Sequence, residues 1–92
     1  MEIKAVKLVT GQLLTCGVED GLTLEKVLGR HLLRVFRPVI FESYKYLNNQ
    51  QQVVETISMS PYMNNSTDEF YEIPADYILG IASVRPLALE RY

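Results

Sequence analysis

A chain of 92 residues, 48% hydrophobic and 22% charged, makes one small globular domain, and at this length it buries only roughly 60–65% of its unfolded surface unless a partner extends the core. The net charge of −2 lacks the strongly basic balance of nucleic-acid binders but is unevenly spread: residues 1–46 carry seven Lys/Arg against five Asp/Glu (+2), residues 47–92 two against six (−4). No 18-residue apolar run and no signal-type start are present, so a cytoplasmic protein without a membrane partner is expected, and a lone cysteine excludes an internal disulfide framework.

Ile3–Val9 and Gln12–Glu19 read as the first two strands. Val6 and Leu8, then Leu14, Cys16 and Val18, alternate with polar or small neighbours at the period of a strand with one buried face, and Thr10-Gly11 supplies the turn. Cys16 falls on the apolar face, where a buried structural thiol is expected rather than a reactive one. From Leu24 two periods compete. Leu24, Val27, Leu28, His31, Leu32 and Val35 are spaced as one helix face with Thr23 as N-cap, but Gly29 interrupts the pattern and β-branched and aromatic residues follow it. The resulting expectation is a loop or short helical turn over Leu22–Arg30, then a strand from about His31 to Ser43. Pro38 in that strand requires an edge, a bend or a bulge, because it has no N–H for a ladder.

Residues 44–52, YKYLNNQQQ, read as a polar hairpin loop, Val53–Met59 as a strand, and Ser60–Glu69 as a second polar loop. Phe70–Ile73 then forms a short strand, Pro74-Ala75-Asp76 a tight connection and Tyr77–Val84 the last strand. Leu87–Tyr92 forms a terminal helical turn after Pro86. Five or six short strands with turns every 8 to 15 residues predict an all-β domain, a small, strongly bent antiparallel barrel.

No catalytic or metal constellation emerges. His31 is the sole histidine and has no Cys or second His for a metal, nor a positioned nucleophile for a triad. Glu19-Asp20 and Asp68-Glu69 fall in turns, where carboxylates serve solubility and capping. A non-enzymatic protein with no cofactor and no small-molecule substrate is expected. Two features point toward nucleic acid: the cluster Arg30, His31, Arg34 and Arg37 with Lys26 nearby, and Tyr44 and Tyr46 flanking Lys45, which pair a stacking surface with a cation. The plainer readings are a solvated strand face for the first and packing or interface tyrosines for the second.

Val6-x-Leu8-x-x-Gly11, followed by Gly17, resembles the first half of the Sm1 motif, and Phe70–Val84 sits where the Sm2 strand pair belongs. Lys7–Gly11, Arg37-Pro38, Pro61-Tyr62-Met63, Ile73-Pro74, Pro86 and Tyr92 follow, in order and spacing, the pattern of short Sm-like proteins encoded by tailed phages. The resemblance implies a five-stranded antiparallel barrel of the SH3 type that assembles into a homo-oligomeric ring of about five to seven subunits. Its last strand, with Tyr77, Ile78, Ile81 and Val84, would pair with an edge strand of the next subunit. That arrangement is also what exposed sheet edges and a head-to-tail contact produce physically. Sm and Hfq proteins bind single-stranded RNA near the pore through two turns, one carrying Arg-Gly or Tyr-Lys-His. Here the corresponding turn, Ile73-Pro74-Ala75-Asp76, offers no cation and adds a carboxylate. Two functions follow from the resemblance: a ring binding single-stranded RNA, or a ring serving as adaptor or assembly element for another protein.

Overall fold

The computed structural model describes residues 1–63 and 66–92. Its fold is built outward from one hairpin, β1 (Glu2–Leu8) and β2 (Leu13–Val18), which pair antiparallel with Val6 opposite Leu14. Gly11 takes φ +93°, a conformation that costs glycine little, and its N–H donates to the Leu8 carbonyl at 3.0 Å to close the turn. Val6, Leu8, Leu14, Cys16 and Val18 are buried together, as their alternation predicts. The opposite face, expected to be polar, is buried as well at Ala5, Thr15 and Gly17. A helix at the end of the chain, α2 (Pro86–Arg91), with Ala88 buried, accounts for this, because it shares the outer side of the sheet with Ala5 and Thr15.

After β2, Leu22 enters the core and Thr23 caps a five-residue helix, α1 (Leu24–Leu28), its hydroxyl accepting from the Lys26 N–H at 3.4 Å. Gly29 ends the helix, so the periodic pattern through Val35 divides between a short helix holding Val27 in the core and a strand holding Leu33 and Val35 there. That strand, β3 (Leu32–Leu47), is the backbone of the molecule: its first part pairs with β5 (Phe70–Pro74), its middle with β2, and its remainder with β4 (Val53–Pro61). The bulge anticipated at Pro38 is present. Thr15 faces Val39 while Gly17 faces Phe36, so β3 carries one extra residue, and Arg37 there adopts φ +44°. The extra residue changes which side chains face inward: Leu33 and Val35 before it, Ile40 after it.

The predicted hairpin loop at 44–52 is mostly strand. Ladder pairing continues through Tyr44–Thr56 and Tyr46–Val54 to Leu47–Val53, leaving only Asn48–Gln52 as the connection. The Asn48 side-chain oxygen accepts from the N–H groups of Gln50 and Gln52, both at 2.9 Å, which closes the turn without a hydrophobic contact. Likewise β4 extends through Pro61, two residues into the predicted loop Ser60–Glu69, of which Asn64 and Asn65 lie outside the described residues.

From β5 the chain passes through a one-turn 3-10 helix (Ala75–Tyr77) into β6 (Ile78–Ser83), which pairs with β1. The sheet thus holds six antiparallel strands in the order β4-β3-β2-β1-β6, with β5 on the same edge of β3 as β4; this matches the six strand segments read in the sequence and is one strand more than a five-stranded barrel, because β3 is long enough to pair with both along that edge. Among the described residues β5 and β6 form no ladder, and the sheet is not closed by hydrogen bonds. Ile73, Ala75 and Ile78 nevertheless turn inward around the 3-10 turn to complete the core. No helix among the described residues is long and apolar enough to cross a membrane.

Candidate nucleic-acid interface

The basic residues predicted as a cluster separate in the structure. Arg30, in the loop after α1, is ion-paired with Glu19, and its guanidinium, hydrogen-bonded to that carboxylate, holds Glu19 below the usual carboxylate range. Its charge is therefore locally neutralised. His31 is exposed, and its main-chain carbonyl accepts from the Ala75 N–H at 2.9 Å, so its backbone braces the turn into β6. Tyr44 and Tyr46 stand in the strand pair extending from the core, eight and ten residues along β3 from Phe36, or roughly 26–33 Å at about 3.3 Å per residue. The Tyr44 hydroxyl donates to Glu42 at 2.7 Å, which places a carboxylate beside this ring rather than a cation.

Arg34 and Arg37 are different. Phe36 lies directly opposite Phe70 across the β3–β5 ladder, and the two rings meet with centroids 5.0 Å apart and a 47° tilt. The Arg34 guanidinium carbon is 4.2 Å from the Phe70 ring centroid, and that of Arg37 is 5.9 Å from the Phe36 centroid. The result is a row on the outer face of the sheet, cation, ring, ring, cation, in which each guanidinium is held over an aromatic surface. Glu72 faces Arg34 in the ladder, yet no ion pair joins them among the described residues.

Three local features position the row. Gly17 sits opposite Phe36, and a Cβ there would come within 3.1 Å of the Phe36 Cβ and 2.5 Å of the Met1 sulfur, so a side chain at this position would displace Met1 and press on Phe36. The bulge turns Arg37 out of the strand, and its N–H donates to the Glu69 carbonyl at 2.6 Å. The Tyr92 hydroxyl, at the end of α2, is within hydrogen-bonding distance of the carbonyls of Phe36 (2.8 Å) and Arg37 (3.0 Å), tying the outer helix to the bulge. Burial pushes the Tyr92 phenol above its ordinary range, so the proton needed for this contact is retained at neutral pH.

Phe36 and Phe70 were not among the residues singled out by sequence. The alternation Arg34-Val35-Phe36-Arg37 carries part of the signal, but Phe70 joins it only through a long-range pairing. The strand proposed to meet a second subunit offers mixed material: Ile78 is buried, Ile81 packs against the core, Tyr77 falls in the 3-10 turn and Val84 lies just beyond β6. Among the described residues no group of three His, Cys, Asp or Glu side chains could hold a metal ion. The chain matches no protein-family model and no curated protein.

Proposed function

We propose that the chain is an Sm-like protein of SH3-type barrel architecture that assembles into a homo-oligomeric ring and binds single-stranded RNA. The observation that carries the RNA reading is the Arg34–Phe70–Phe36–Arg37 row, since single-strand binders combine phosphate-tracking cations with aromatic faces on which bases stack. Repeated around a ring, a row with only two cations becomes a circular basic and aromatic surface. Support for the Sm-like architecture comes from the bent β3 shared by three partners and from the 3-10 turn that links the two ends of the sheet. The unpaired outer edges of β6 and of the β4/β5 side are the strands available for a head-to-tail contact.

The test is a fluorescence-anisotropy titration of labelled U-rich and A-rich RNA at two salt concentrations. Binding that weakens with salt is expected, with Arg34→Ala and Arg37→Ala each flattening the logarithmic salt slope by about 0.7 per chain for single strands. Phe70→Leu is expected to weaken binding by about 1–3 kcal/mol per stacked base while leaving the slope unchanged. No binding at low salt, where phosphate attraction is strongest, would reject the RNA reading.

One observation favours the second reading, an adaptor ring that binds another protein: the 3-10 turn presents exposed Asp76 and no cation where the Sm family places one. Purified protein with an absorbance ratio at 260 and 280 nm free of nucleic acid, together with silent RNA titrations, is its expected signature.

A further inference from the structure

A cavity of about 240 Å³ opens where α2 meets the outer side of the sheet, at the root of the β3–β4 strand pair. Alternation fixes its floor. Thr15 faces Ala5 in β1 and Val39 in β3, and Phe41 and Ser43 follow Val39 at the same parity, so these side chains share the side that α2 covers. Ile57, opposite Ser43 in the β3–β4 ladder, continues the surface, and Ala88 of α2 closes it.

Thr15 is the one polar residue buried among the described residues, at 5% exposure. Its hydroxyl makes no hydrogen bond there, unlike those of Thr10, Thr23, Ser43, Tyr44, Ser66 and Tyr92. No buried side-chain oxygen among the described residues is sealed off without a partner, so the Thr15 hydroxyl opens into the cavity it lines. Charge stays outside. Arg85 is exposed at the start of α2 and forms no ion pair among the described residues. The Ser43 hydroxyl donates to Glu55 at 2.5 Å and, with Lys45 and Arg85 beyond it, holds that carboxyl below the usual carboxylate range. Glu42 alternates to the opposite side of β3, where its carboxylate accepts from Tyr44.

These properties select a ligand. A charged group would leave water for an apolar floor holding one neutral hydroxyl, which opposes its entry. A plain hydrocarbon would fill the space and leave that hydroxyl unmatched. An apolar body with one uncharged oxygen satisfies both conditions, and the Phe41 ring offers it an aromatic neighbour. An apolar cavity of about 150 Å³ already admits a benzene ring, and drug-sized ligands fill roughly 300–1,000 Å³. The volume here therefore suits a single ring with a short substituent.

We propose that the cavity between α2 and the root of the β3–β4 pair binds a compact neutral ligand, one aromatic ring carrying a single hydroxyl or carbonyl oxygen, with Thr15 as the residue that fixes its polar end. No lining residue belongs to the Arg34–Phe70–Phe36–Arg37 row, so this site and the RNA reading stand or fall separately.

The test is an NMR titration of the full chain with benzyl alcohol, toluene and benzoate, following the methyl signals of Leu13, Ile57 and Ala88, which line the cavity. Saturable shifts at these methyls are expected, with benzyl alcohol binding at least threefold more tightly than either of the other two. Thr15→Val, which exchanges the hydroxyl for a methyl group, is expected to bring benzyl alcohol down to the affinity of toluene while toluene itself binds as before. Thr15→Ser retains the hydroxyl and should retain the preference. No saturable shift with any of the three, or an undiminished preference for benzyl alcohol in Thr15→Val, overturns the proposal, and tighter binding of benzoate than of benzyl alcohol overturns the assignment of a neutral ligand.

Discussion

Cys16 shows how far a single residue can be read and tested. Its position in the alternation of β2 marks it as inward-facing, and in the structure it is fully buried with its thiol pushed up to about 12 by desolvation. The folded value lies above the unfolded one, so the thiol's contribution to stability is complete below about pH 9 and is lost as pH rises toward 12. Across that window each pH unit removes about 1.4 kcal/mol, because the unfolded chain ionises while the folded one does not. Urea unfolding at pH 8 and pH 10 is therefore expected to show a larger loss for the native protein than for Cys16→Ala, and equal losses would refute the assignment. The candidate site was less legible at this scale. Arg34 and Arg37 stand out as charges in any reading, but what separates them from Arg30 is the partner each meets: Glu19 for Arg30, a phenyl ring for the other two. Phe36 and Phe70 are 34 positions apart, and only the β3–β5 pairing makes them neighbours.

Among elements, the β1–β2 hairpin and α1 were readable because their signals are local: alternation around a turn glycine, a threonine cap, a glycine stop. The part of β3 beyond Ser43 was not, although its partner β4 was read as a strand over Val53–Met59. A two-stranded ribbon with both faces in solvent has no buried face to impose alternation, so Tyr-Lys-Tyr and its surroundings look like loop. Burial of the outer side of β1–β2 was also hidden, since α2 covers it from the far end of the chain. The ribbon contributes no residue beyond Ile40 to the core cluster, so it should be separable from the rest. Replacing residues 44–56 by an Asn-Gly turn is expected to shift the thermal midpoint by no more than a few degrees. In the intact chain, the amides of Lys45–Leu47 and Val53–Glu55 should exchange with deuterium well before those of Val6, Leu14 and Cys16. Simultaneous exchange of both groups would show that the ribbon and the core open as one unit.

For the whole molecule, the charge asymmetry and the thin core were legible from composition, whereas the open strand edges appear only in the ladder order. In the last strand Leu79, at the register shift against Lys7 and Leu8, is 57% exposed, Gly80 has no side chain, and no residue of Ile78–Ser83 is charged, so no charge guards this edge against pairing by another chain. If the proposed ring forms through this edge, sedimentation equilibrium should give about five to seven times the 10.5 kDa chain mass. Leu79→Lys is then expected to return a folded protein to the mass of one chain. A native protein that already sediments as a single chain would remove the ring.

The extra residue at Arg37-Pro38 acts on this whole body as a phase shift does on a wave. Every side chain of β3 beyond it, and through the ladder every side chain of β4, takes its side of the ribbon from that one step. Deleting either residue would leave composition and length almost untouched. It would still exchange Tyr44 and Tyr46 for Ser43 and Lys45 on each side of an arm that helps extend the molecule to 52 Å. The chemistry the arm displays is thus set at its root, by a position outside the arm itself.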